Sequence, residues 1–170
     1  KTICLGEIMN CKELITDPKS RTRAIVDLVR TMRPDLPIEG HCPAFMGEEL
    51  AAIIRHGVTA DHTEQTPERI EARVRNDMFV QLQAKTLRPE NVNFVKEHNL
   101  FEHIAIVTDD TMPQKLAAEG QLDVLLRKAI ALGFTPEQAI YVCTYTPARR
   151  MRLYDRGAIA PGLRADFTIV

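Results

Sequence analysis

Leu36-Pro37-Ile38-Glu39-Gly40-His41-Cys42-Pro43 is a short apolar run that stops abruptly at a glycine, an imidazole and a proline. Residues 36–39 read as a strand, and residues 47–56 supply the helix behind it, with Gly57 as the C-terminal cap. A strand that ends in polar residues and hands over to a helix is the βα unit of a parallel sheet.

The same unit recurs on both sides. Toward the N-terminus, a strand over residues 2–5 ends at Gly6-Glu7. A helix over 19–32 follows, with Ala24, Ile25, Leu28, Val29 and Met32 on one face, and Pro34 stops it. Toward the C-terminus, a very short strand over 58–60 ends at Asp61-His62, after which Thr66 caps a helix and Pro67 takes its first position. A fourth strand, 78–82, precedes a helix over 89–98, and a fifth, 103–107, ends at Thr108-Asp109-Asp110. Residues 121–132 and 136–143 then read as two helices, with a short third over 147–153. The tail, residues 157–162 and 165–170, reads as a turn and one strand outside the main body.

Five such units fit a doubly wound sheet or five eighths of a barrel. The glycine-rich phosphate fingerprint of a dinucleotide fold is absent, which removes the best support for the first. The expected fold is α/β: a partial (β/α)8 TIM-type barrel over residues 1–156, then the first strand of a small C-terminal β domain over 157–170.

Composition narrows the function. With 170 residues, 45% of them hydrophobic, the chain can bury a real core. Its net charge is -1, from 22 basic and 23 acidic residues, so no unbalanced field attracts nucleic acid or an anionic membrane. Four cysteines without a CxxC pair suggest neither a zinc ribbon nor a disulfide scaffold, and a reducing cytoplasm is the expected compartment. No apolar run approaches the ~20 residues that cross a bilayer, and no signal segment opens the chain. Lys1 leads at once into Ile3-Cys4-Leu5, as expected of a truncated or processed chain.

Glu7, His41, His62 and Asp109 each follow an apolar strand. Barrel active sites are built on that edge, where strand ends converge on one rim. Two imidazoles and two carboxylates form a mixed nitrogen and oxygen set suited to Zn²⁺, Mn²⁺ or Fe²⁺. Taken singly, a strand-end histidine is more often a hydrogen-bonded structural residue; the shared position of the four favours ligands. His56, His98 and His103 read as surface or structural residues, Cys42 as packing beside Pro43, and Asp110 as a cap for the next turn.

Leu5-Gly6-Glu7-Ile8-Met9-Asn10, Glu39-Gly40-His41-Cys42-Pro43, Asp61-His62, Thr108-Asp109-Asp110 and Gly157-Ala158-Ile159-Ala160-Pro161-Gly162 resemble, in order, the motifs of the adenine deaminase family in the amidohydrolase superfamily. The resemblance covers essentially the whole chain. It implies a two-metal centre at the mouth of a (β/α)8 barrel and conversion of adenine and water to hypoxanthine and ammonia. It also implies Glu7 as the carboxylate bridging the metals, His41 and His62 as imidazole ligands, and Asp109 as a ligand that handles the proton of the attacking hydroxide.

Two positions depart from that family. Its glutamate directly after the second histidine, assigned to proton transfer, is here Thr63, with Glu64 one place later as the candidate substitute. Its opening His-x-His pair has no counterpart here. The missing units are therefore expected on a longer precursor or a partner chain, or the exposed strand edges are expected to be covered in a homo-oligomer. Two alternatives remain: an amidohydrolase acting on a cyclic amide or N-acyl compound, which Thr63 favours, and a non-catalytic barrel fragment, which the absent His-x-His favours.

Overall fold

In the computed structural model, which describes residues 2–168, five parallel strands form one sheet. They are β1 (Leu5–Ile8), β2 (Ile38–Gly40), β3 (Ala60–Asp61), β4 (Phe79–Leu82) and β5 (Ile104–Ile106). Spatial order equals chain order, and every neighbouring pair is parallel. A doubly wound sheet reverses from an inner strand, whereas a barrel wall is laid down consecutively. The sheet is thus a five-strand wall of a TIM-type (β/α)8 barrel, as the alternation of elements predicts.

Between and after the strands run α1 (Cys11–Thr16), α2 (Arg21–Met32), α3 (Gly47–Arg55), α4 (Pro67–Val74), α5 (Pro89–Glu97), α6 (Pro113–Glu119), α7 (Leu122–Ala131) and α8 (Pro136–Arg150). The start signals act as expected. Thr66 accepts from the Arg69 N–H with Pro67 in the first turn, and Ser20 caps α2 through the Arg23 N–H. Gly57, at φ 98°, donates its N–H to Ile54 O over 2.8 Å to close α3.

Two short helices escaped the sequence reading. The first, α1, carries the signature Asn10-Cys11-Lys12-Glu13, in which the Asn10 side chain accepts from the Glu13 N–H. The second, α6, buries no residue, so apolar periodicity could not announce it. The break expected at Pro147 is also absent. Pro147 lies within the single helix α8, and the preceding Thr146 hydroxyl ties that helix to the sheet by donating to Ile104 O of β5 over 2.7 Å. Residues 165–168 form no strand, and 169–170, the rest of the expected terminal strand, lie outside the described residues.

Strand bounds shift toward the C-terminus at three places, with β1 at 5–8 in place of 2–5, β2 at 38–40 and β3 at 60–61. Leu36, Val58 and Met78 are buried just before their strands begin. Apolarity marks what is covered, and the hydrogen-bonded ladder starts later.

Two apolar clusters fill the space between the sheet and its helices. One gathers Ile38, Leu50, Ile53 and Val58 around the first strands; the other gathers Val80, Leu82, Ile104, Leu125 and Val142 around the last. Alternation along β2 sends Ile38 to the core and Glu39 to the opposite face, toward the barrel interior. Among the described residues, no helix is long and apolar enough to cross a membrane.

Candidate metal centre

Gly40 ends β2 and His41 follows at once; Asp61 ends β3 and His62 follows at once. Gly40 and Asp61 are register partners, so the two imidazoles leave adjacent strands at the same level. The His41 N–H donates to Ile8 O of β1 over 3.2 Å, which ties the loop to the third contributing strand. Gly40 has a steric reason to be glycine: a Cβ there would stand 2.4 Å from Val58 Cγ1 and 2.9 Å from Cys42 Sγ.

Glu7 lies inside β1, a correction to its expected place past the strand end. Its side chain still reaches the same spot. Oε2 stands 2.8 Å from His62 Nε2 and 4.0 Å from His41 Nδ1, and the two ring nitrogens are 3.3 Å apart. One ligand atom from each of the three residues falls within 4.8 Å of the others.

These separations test the fit of a cation. Ligands at about 2.1 Å from an ion in a tetrahedral arrangement are about 3.4 Å from one another. The His41–His62 separation matches that edge, and the Glu7 distances bracket it, so the three side chains fit one ion with small rotations. A carboxylate and two imidazoles suit Zn²⁺, Mn²⁺ or Fe²⁺ better than Ca²⁺ or Mg²⁺, which favour oxygen.

Asp109 lines a cavity of about 310 Å³ together with Glu7, Glu39, His62, Gln81 and Val107. It is on the same rim, but outside the three-residue group of converging ligand atoms. Its φ of 59° places it in the left-handed region, which aspartate tolerates better than most residues. Glu64 points elsewhere: its carboxylate pairs with Arg88, and both side chains are nearly half exposed. Thr63 is buried, and its hydroxyl donates to Asp61 Oδ2 over 2.9 Å.

Behind the ligands lies a set of buried polar groups that the sequence reading missed. Asp61 and Arg73 are both fully buried and form an ion pair with Nε 2.6 Å from Oδ2. Burial works to raise the Asp61 carboxyl; the Arg73 charge and the N–H groups of Thr63 and Cys42 outweigh it and hold the carboxyl below its ordinary value. Arg73 had a sequence signal, since it lies three residues after Ile70 and hence on the buried face of α4.

Glu39 accepts from Gln81 over 2.8 Å and from Arg150 over 2.7 Å, and burial raises its carboxyl against the pull of Arg150. Cys42 packs against Cys11 with the sulfurs 3.3 Å apart, both as free thiols. The shared hydrogen bond and burial push the Cys42 thiol far above its usual range.

Comparison with known proteins agrees with this architecture. The sequence is 48% identical over 168 residues to the adenine deaminase of Lactobacillus delbrueckii subsp. bulgaricus, covering 99% of this chain and 30% of that protein. It is 47% identical to the adenine deaminase of Clostridium perfringens, covering 99% of this chain and 29% of the relative. The chain thus spans about three tenths of the length of these relatives.

Among solved structures, an N-acetyl-D-glucosamine-6-phosphate deacetylase from Mycobacterium smegmatis superposes with a TM-score of 0.63 at 16% identity, over 87% of this chain and 47% of that one. An amidohydrolase from Thermotoga maritima superposes at 0.62 and 18% identity, over 91% and 44%. At such identities the likeness concerns the fold alone. The profile of the amidohydrolase family matches residues 20–170. On that match, and on relatives close to half identical along its length, the chain belongs to the amidohydrolase family.

Proposed function

We propose that this segment forms one side of the active site of a metal-dependent aminohydrolase that converts adenine and water to hypoxanthine and ammonia. The convergence of Glu7, His41 and His62 on one cation-sized point carries the reading, and the names of the nearly half-identical relatives point to the substrate. Glu7, His41 and His62 would hold Mn²⁺, Fe²⁺ or Zn²⁺, with Asp109 and the remainder of the barrel completing a one- or two-ion site. A bound divalent cation would supply water of lowered pKa, a nucleophile at neutral pH.

The residues of this chain do the rest. Asp109 holds the proton released from the attacking water and passes it toward the departing amine. Glu7, on the same cavity wall, fixes one side of the reacting centre, and Val107 covers part of the cavity with an apolar surface. The remainder of the longer protein covers the outer edges of β1 and β5. We place the activity in the cytoplasm, where Cys4, Cys11, Cys42 and Cys143 persist as free thiols.

The test is hypoxanthine formation by the full-length protein loaded with Mn²⁺ or Fe²⁺; a folded, metal-loaded preparation that leaves adenine untouched overturns the reading. A second substrate class, cyclic amides or N-acyl compounds, is favoured by one observation. Thr63 is turned into the protein onto Asp61, and Glu64 is committed to Arg88, so neither presents an acid to the cavity. A panel holding adenine, a cyclic amide and an N-acyl amine separates the two.

A further inference from the structure

Both histidine loops are gripped through their backbones by one buried ion pair. Asp61 Oδ1 accepts the Cys42 N–H over 3.0 Å and the Thr63 N–H over 3.1 Å. Those are the residues immediately after His41 and His62. Asp61 Oδ2 accepts from the Thr63 hydroxyl over 2.9 Å, from Gln65 Nε2 over 2.8 Å and from Arg73 Nε over 2.6 Å.

Arg73 closes the loop by donating Nη2 to Cys42 O over 2.7 Å. The Cys42 residue is therefore held at both its N–H and its C=O by the two members of a single salt bridge. Gln83 adds a third hold, donating to His62 O over 2.6 Å. Neither Asp61 nor Arg73 is exposed to solvent, and neither lines the cavity.

A buried ion pair is a weak source of net stability, because desolvation offsets most of the attraction. Its geometric effect is stronger: hydrogen bonds to a peptide fix that peptide in space. We infer that Asp61 and Arg73 are positioning residues that set His41 and His62 in their metal-binding arrangement before any ion arrives. The pair lowers the ordering cost of coordination, since two loops that would otherwise sample many conformations are already converged. This rests on the metal-binding reading of Glu7, His41 and His62.

The experiment uses the full-length protein and Mn²⁺ titration alongside thermal unfolding. Arg73→Lys keeps a cation beside Asp61 but cannot also reach Cys42 O through a second nitrogen. It is expected to weaken Mn²⁺ binding about 10–100-fold, the range for partners that orient metal ligands. Thr146→Val removes a buried hydrogen bond between α8 and β5, far in sequence from either loop, and serves as the stability control. It is expected to lower Tm while leaving Mn²⁺ affinity unchanged.

If Arg73→Lys binds Mn²⁺ as the unvaried protein does, or if the control loses affinity in equal measure, the positioning role is overturned. In the metal-stripped unvaried protein, the Cys42 and Thr63 amides are expected to exchange slowly with deuterated solvent. Fast exchange at both overturns the inference even should Arg73→Lys fail to fold. An unvaried protein that binds no Mn²⁺ removes the metal-binding reading itself and this inference with it; a native-like Arg73→Lys removes only the inference.

Discussion

Glu7 Oε2 and His62 Nε2 are 2.8 Å apart although Glu7 sits on β1 and His62 follows β3, with β2 between them. Such an approach across a barrel interior requires both side chains to turn inward from the same rim. Substitution should therefore show whether the contact serves a cation: Glu7→Gln and His62→Ala are each expected to weaken Mn²⁺ binding by more than the ~10–100-fold that outer partners cost. Calorimetric titration of the full-length protein measures it. Unchanged affinity in both variants excludes these residues as ligands.

Metal removal should be visible as lost stability. An ion that binds the folded state alone adds about 2.7 kcal/mol at a hundredfold excess over Kd. Thermal unfolding with Mn²⁺ and after chelation is expected to differ by several degrees, and the difference should vanish in His41→Ala/His62→Ala.

Gly40→Ala places a methyl against Val58 and Cys42, with the nearest atom at 2.4 Å. The loss of stability expected from overpacking is about 1–3 kcal/mol. Urea unfolding gives the number, and His41, one residue on, should lose metal affinity in parallel. A Gly40→Ala protein as stable as the unvaried one would contradict the tight approach of β2 and β3.

Thiol chemistry follows from burial. The Cys143 thiol is pushed up to about 11 by desolvation, and Cys42 is raised further. The thiolate is the reactive form, so a raised pKa leaves a smaller thiolate fraction at pH 8. Native labelling by a disulfide reagent at that pH is expected to be slow at both positions and fast once the protein is unfolded. Rapid native labelling of Cys42 would mean that its contact with Cys11 opens readily.

Much of the fold was legible because βα repeats leave a double imprint, apolar runs that end in polar residues and helices with capping signals. Thr66-Pro67 and Gly57 did what their chemistry dictates. The short helices were harder: α6 buries nothing and so leaves no apolar trace. At the site, His41 and His62 were readable from their place after a strand, and the structure brings them together with Glu7.

Asp109 reached the same cavity without joining that trio, and Glu64 turned to Arg88. The supporting role of the pair was nearly illegible for a physical reason. Asp61 and Arg73 matter through hydrogen bonds to peptide groups, and backbone contacts carry no residue-type signature. Only the placing of an arginine on the apolar face of α4 hints at it.

Strand β1 pairs Leu5 with Ile38 but Ile8 with Gly40, so it spends one more residue than β2 over the same span. Glu7 rides on that irregular stretch, whereas the imidazoles leave strands β2 and β3, whose mutual register is unbroken. A bulge re-aims a side chain without disturbing the layers behind it. The carboxylate's reach is consequently tied to the register irregularity between β1 and β2, so a small backbone adjustment there would move that one acid while leaving the nitrogen donors and the packed interior as they are.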